Sequence, residues 1–307
     1  MTRVAAIDCG TNSIRLLVAD INGSRLTDVD RRMEIVRLGQ GVDRTGRLAP
    51  EALDRTMAAL RRFADIVSST GASAVRMVAT SATRDAENSA EFVRRVKEIL
   101  GVAPDVLTGD EEARLSFIGA TAELASGQPY LVADIGGGST EFILGDQSGP
   151  SGVISVNIGC VRMTERRLGS DPPTDSEIAA ATADIDDALA TVATAIPAAG
   201  QARTLVGLAG SVTTVAGIAL GLPAYDSARI HHSVIDVSEV HRVTAELLRQ
   251  TRAERAIIGV MHPGRVDVIG GGALILDRIM TRFGFPQVLV SEHDILDGIA
   301  YALARAA

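Results

Sequence analysis

Short apolar runs alternate with amphipathic stretches along the chain. Val4–Ile7 is an apolar run that ends at Asp8 and predicts a buried strand, with residues 15–21 as its hairpin partner. Across 51–69, Leu53, Met57, Leu60, Ala64 and Val67 fall on one helical face behind Pro50 and Glu51. Residues 75–79 predict another strand. Phe92, Val96, Ile99 and Leu100 then give a helix its core face, and Gly101 ends it. A third helix starts near Asp110 and carries Ala113, Phe117 and Ala120 inward.

The pattern then restarts. Strands are predicted over 130–135, 140–145 and 152–157. An Ala-rich helix follows over 175–197, after Pro172-Pro173, with Thr174 or Asp175 as its cap. A strand over 205–209 runs through Gly210 into a helix over 211–220. Residues 222–235 read as irregular, a lid or loop. Helices near 238–250 and 270–283, a strand over 287–290 and a closing helix near 294–306 complete the chain. Strands alternating with helices predict an α/β protein.

Composition narrows the function. At 307 residues the chain is about twice the usual domain size, so two domains are expected. Aromatic residues make up 3% and Trp is absent, which leaves little surface for stacking bases. A net charge of −8 argues against a nucleic-acid or anionic-membrane partner. It does not exclude an anionic substrate, because backbone amides and a few Arg residues can build a local positive site. Cys9 and Cys160 show neither paired nor metal-ligand spacing, which fits a reduced, cytoplasmic setting. The N-terminus turns polar too early for a signal peptide. No apolar run reaches membrane-spanning length, since 178–197 is broken by Asp184, Asp186 and Asp187.

The most informative feature is an internal repeat. Asp8–Val18 aligns with Asp134–Leu144, setting Asp8 on Asp134, Gly10 on Gly136, Ser13 on Ser139 and Arg15 on Glu141. Each copy reads strand, Gly-containing turn, strand. Glycine lets backbone N–H groups approach phosphate oxygens closely, so Gly10, Thr11, Asn12 and Ser13 form one candidate phosphate loop. Gly136, Gly137, Gly138 and Ser139 form the other. Asp8 and Asp134, each ending a strand, are placed to hold Mg²⁺ directly or through its waters, with Glu141 as a further ligand. One such turn alone is equally well a plain hairpin; two in register are not.

Other candidates are weaker taken singly. Gly210 and Ser211 open a helix rich in Ser and Thr, a ready anion site that is also an ordinary cap. Glu111, Glu112 and Arg114 read by themselves as a solvated first turn. Arg84 follows a strand in a loop, where site residues concentrate. His231 and His232 are adjacent, so on a strand they would point apart, and no metal role falls to them or to His241, His262 and His293. Gly270-Gly-Gly reads as close helix packing, and Cys9 as a small core filler.

Five segments together resemble the exopolyphosphatase/guanosine pentaphosphatase family. They begin at Ala6-Ile-Asp-Cys-Gly-Thr-Asn-Ser, Ala79-Thr-Ser-Ala-Thr-Arg-Asp, Thr108-Gly-Asp-Glu-Glu-Ala-Arg, Asp134-Ile-Gly-Gly-Gly-Ser-Thr-Glu and Leu208-Ala-Gly-Ser. That family is part of the superfamily of actin, heat-shock chaperone ATPases and sugar kinases. The resemblance implies two duplicated actin-like, ribonuclease H-like domains with an interdomain cleft, over 1–121 plus 291–307 and 122–290. It implies release of terminal phosphate from inorganic polyphosphate, with Mg²⁺ or Mn²⁺ as cofactor. The guanosine alarmone pppGpp is the alternative substrate, and a homodimer is the expected assembly. A catalytic Glu carries over onto Glu112, with Glu111 as the alternative, and active-site arginines onto Arg84 and Arg15. Leu296-Asp297-Gly298 departs from the family's usual Arg-Glu-Gly. A sugar or acid kinase would need an acceptor pocket and an Asp base. A nucleotide or alarmone sensor would use the same loops without turnover.

Overall fold

A computed structural model of the chain describes residues 2–22, 25–124 and 126–306. The chain divides into two compact units, Met1–Glu123 with Asp294–Ala307, and Leu124–His293.

The first unit is built on a five-stranded sheet: β1 (Thr2–Cys9), β2 (Ser13–Asn22), β3 (Arg25–Ile35), β4 (Ala74–Ala79) and β5 (Asp105–Val106), in the order β3-β2-β1-β4-β5. β1, β2 and β3 pair antiparallel; β4 pairs parallel to β1, and β5 parallel to β4. Because side chains alternate along a strand, the apolar run of β1 feeds two faces. Ala5, Ile7 and Cys9 pack with Leu53, Met57, Leu60 and Phe63 of helix Pro50–Thr70 and with Phe92 and Val96 of helix Ser89–Leu100. Val4 and Ala6 pack with Leu115 of helix Gly109–Thr121 and with Ile295, Leu296, Ile299 and Ala300 of helix Ile295–Ala306. Each fully buried Leu, Ile or Phe contributes about 1.5–3 kcal/mol to this sandwich.

The second unit repeats the plan. β6 (Tyr130–Ile135), β7 (Thr140–Asp146), β8 (Gly149–Val156), β9 (Thr204–Leu208), β10 (Val234–Asp236) and β11 (Gln287–Val290) lie in the order β10-β11-β9-β6-β7-β8. Read from β8 to β11, order and polarity match the first sheet, and β10 adds an antiparallel edge. The expected duplication of ribonuclease H-like sheets flanked by helices is therefore present.

Several elements differ from the sequence pattern. No strand is predicted over Arg25–Ile35 and no helix over Cys160–Arg167, yet both form. The stretch read as irregular, 222–235, contains helix Ser227–Ile230 and the start of β10. The view that His231 and His232 point apart is overturned. His231 ends that short helix, His232 adopts a left-handed φ of 59°, and their rings stack at 3.7 Å. His293 adds a third ring, 4.5 Å from that of His231. Gly270-Gly-Gly lies at the start of helix Ile269–Phe283, as close packing requires: a Cβ on Gly272 would sit 2.1 Å from Ser211 Oγ. Among the described residues no helix is long and apolar enough to cross a membrane.

Candidate active site

Each β-hairpin turn is closed by the same backbone bond. Gly10 N–H donates to the Ser13 carbonyl at 3.0 Å, and Gly136 N–H donates to that of Ser139 at 3.0 Å. The registers match too, with Asp8 opposite Arg15 and Asp134 opposite Glu141. Residues directly opposed across an antiparallel pair share a face, with Cβ atoms about 4.5–5.5 Å apart. The Arg-for-Glu difference therefore pairs a cation with the Asp in one turn and a second carboxylate with the Asp in the other.

In the first unit the opposed pair is an ion pair. Arg15 Nε and Nη2 donate to Asp8 Oδ2 at 3.1 and 2.7 Å, and Arg15 Nη1 is paired with Asp294 Oδ2. Burial opposes the guanidinium charge, but Asp294 and Asp8 more than offset it and raise its pKa. Burial also raises the Asp8 carboxyl, against the pull of Arg15. Asp8 Oδ1 is buried without a hydrogen-bond partner among the described residues. The turn is fixed from behind by a hydrogen bond between Thr11 Oγ1 and Ser81 Oγ at 2.9 Å. The Asn12 carbonyl accepts from Val36 and Arg37 N–H.

The same unit separates the two candidate glutamates. Glu111 is at the third position of helix Gly109–Thr121 and completes a capping box with Thr108. Hydrogen bonds from the Thr108 backbone and hydroxyl hold its carboxyl below the usual range. Glu112 is buried, and its Oε2 accepts from Arg84 Nη1 at 3.2 Å. The same Arg84 nitrogen donates to the Leu107 carbonyl at 2.8 Å, which fixes the pair to the end of β5. Arg84 itself ends the short helix Ser81–Arg84 that follows β4.

In the second unit Asp134 and Glu141 face one another across the hairpin at 8% and 1% exposure. Like charges directly opposed on a sheet destabilise it, so two buried carboxylates here suit a hard divalent cation. Ser155 Oγ donates to Glu141 Oε1 at 2.7 Å and orients it. The glycine turn is held by an element the sequence pattern missed. Cys160 N–H donates to the Gly136 carbonyl at 2.9 Å, and Val161 and Arg162 N–H donate to that of Gly137. Arg162 Nε donates to the Gly138 carbonyl at 2.6 Å. Helix Cys160–Arg167 thus spends its free N-terminal donors on the loop carbonyls. Gly159 permits this approach, since a Cβ there would lie 2.5 Å from the Gly137 carbonyl.

The third predicted loop lies inside the first turn of helix Ala209–Ala219, where Ala209 takes a φ of 68°. The Arg265 guanidinium lies against Gly210 and donates to Thr214 Oγ1 at 3.1 Å. Ser211 is buried beside Gly272. Cys9 and Cys160 are buried free thiols, and burial raises both above the ordinary thiol value.

Two sheets of one topology, each opening on a strand, glycine turn and strand, place the chain in the actin-like class of α/β proteins. The match to the Ppx/GppA phosphatase family model runs over residues 17–306. The chain is 49% identical to Exopolyphosphatase 2 of Mycobacterium tuberculosis, with 99% of both chains covered. A solved exopolyphosphatase-like protein superposes with a TM-score of 0.95 at 43% identity, covering 99% of each chain. The Ppx/GppA family member of Aquifex aeolicus gives 0.84 at 29%, covering 99% of this chain and 98% of that one. The chain belongs to the Ppx/GppA phosphatase family.

Proposed function

We propose that the chain is an exopolyphosphatase, which cuts the terminal phosphoanhydride bond of inorganic polyphosphate with water and releases orthophosphate. The observation that carries this reading is the buried Glu112–Arg84 pair, set apart from the capping Glu111 by a single residue step. It is the arrangement a water-orienting base needs: a buried carboxylate held in place by a fixed guanidinium. Glu112 takes a proton as the water oxygen bonds to the terminal phosphorus and the bridging P–O bond breaks. Arg84 and Arg15 stabilise the negative charge of the transferred phosphoryl group. The amides of the Gly10–Ser13 and Gly136–Ser139 turns and the 210–211 turn hold phosphate oxygens. In the second unit Asp134 and Glu141 are the oxygens offered to Mg²⁺, and in the first the orphaned Oδ1 of Asp8 is a candidate ligand in its own right. When bound, that ion neutralises phosphate charge. The name of the 49% identical relative supports polyphosphate as substrate.

Phosphate release from polyphosphate of several lengths, pppGpp and ATP, with and without EDTA, tests the substrate and the ion together. In the same assay Glu112→Gln should lower kcat by about 10²- to 10⁴-fold with its unfolding midpoint unchanged. Glu111→Gln should keep turnover and lose some helix stability. A Glu112→Gln enzyme at full rate would remove the assignment.

A further inference from the structure

We propose that Asp294 is a positioning residue, holding the Arg15 guanidinium in the orientation that meets phosphate. The inference rests on the role given to Arg15 above. A guanidinium has five N–H donors in a fixed fork. Three are engaged, two on Asp8 Oδ2 and one on Asp294 Oδ2. Among the described residues no partner takes the remaining N–H on each terminal nitrogen, which leaves both to a ligand. With Asp8 alone the fork could swing about a single oxygen atom, since Nε and Nη2 share Oδ2. The second carboxylate removes that freedom. It also adds negative charge beside Asp8, so Arg15 is set between two buried anions and stays charged.

Asp294 is itself rigidly held. Its Oδ1 accepts from Leu296 N–H at 3.0 Å, and its own N–H donates to Asp297 Oδ2 at 3.0 Å. Asp297 is fixed in turn by Arg31 Nη2 at 2.6 Å. One Asp294 oxygen therefore caps helix Ile295–Ala306 while the other serves Arg15. The plain alternative is that Asp294 is a helix cap whose ion pair with Arg15 has no bearing on turnover.

The two jobs can be separated, because Asn and Ser cap a helix about as well as Asp but cannot supply this charge. In the full chain, assayed by phosphate release from polyphosphate, Asp294→Asn and Asp294→Ser should lower kcat on the order of 10- to 100-fold, with KM within about threefold. Their unfolding midpoints should stay near that of the native protein. In an Arg15→Ala background, Asp294→Asn should cause no further loss, because its effect passes through Arg15. Native kcat in both variants, equal losses with and without Arg15, or activity lost only in step with stability would each overturn the proposal. Undiminished turnover in Arg15→Ala would instead sink the assignment of Arg15, and leave Asp294 a helix cap.

Discussion

At the scale of single residues, one substitution between the repeats decides their chemistry. Arg15 closes onto Asp8 and makes its turn a neutralised, rigid element, whereas Glu141 sets a second carboxylate beside Asp134. The asymmetry is visible in the sequence, because hairpin register follows from the position of the turn. Asp294 is not visible there. An acidic residue ahead of a closing helix reads as a cap, and only the fold brings it to Arg15 across 279 positions. The separation of Glu111 from Glu112 is likewise tertiary: Thr108 is three residues before Glu111, but Arg84 arrives from another element. The cysteines give a direct test at this scale. Burial is the main cause raising both thiols, with Asp8 adding to the effect on Cys9. At pH 8 the folded protein should leave both thiols unreactive toward a disulfide reagent, and denaturant should expose two per chain. The sign for stability follows. A folded thiol pKa above its unfolded value means the folded state holds protons longer, so stability falls as pH rises past 9.0. Cys9→Ala should flatten that alkaline decline, as followed by denaturant midpoints from pH 8 to 10.

At the scale of elements, the helices were legible where an apolar stripe recurs at helical spacing, as over Pro50–Thr70. β3 was not, because it is an edge strand carrying Asp28, Asp30, Arg31, Arg32 and Glu34, so it lacks the apolar alternation of a half-buried strand. Helix Cys160–Arg167 was hidden by its shortness, although it is what holds the second glycine turn. One contact between elements bears on the helix that carries Glu112. Helices Gly109–Thr121 and Ile295–Ala306 cross so closely that a Cβ on Gly119 would lie 1.8 Å from the Asp294 carbonyl oxygen. One on Gly298 would lie 2.0 Å from the Leu115 carbonyl oxygen. Both obstacles are backbone, which cannot step aside as a side chain can. Gly298→Ala should therefore force the helices apart at a cost of about 1–3 kcal/mol or more. The same shift would move Glu112 and Asp294, both of which neighbour the crossing. Urea unfolding of Gly298→Ala beside Gly284→Ala is the appropriate comparison. Gly284 has no neighbouring atom within 4 Å of its would-be Cβ and a φ of 74°, so that variant reports backbone strain alone. A Gly298→Ala chain as stable as the native protein would show that the crossing does not constrain the site.

At the scale of the whole molecule, the units differ in how the chain builds them. Leu124–His293 is continuous, whereas the first unit needs both ends of the sequence. Helix Ile295–Ala306 supplies Ile295, Leu296, Ile299, Ala300 and Tyr301 to the face of the first sheet formed by Val4, Ala6, Leu17, Ala19 and Val78. Without that helix this face would present a broad apolar surface to water, and Arg15 would lose its second carboxylate. A fragment of residues 1–123 should therefore be insoluble or bind a hydrophobic dye strongly. A fragment of 124–293 carries its whole core, from Leu131 to Val290, and should unfold in one cooperative transition. Joining residues 294–307 ahead of residue 2 through a flexible linker should restore a folded first unit, because the helix requires proximity and not a particular order of connection. Circular dichroism melts and dye binding of the three polypeptides decide the matter. Cooperative folding of 1–123 alone would mean that the closing helix is dispensable to the sheet, and that its role is confined to Asp294 and the charge it brings to Arg15.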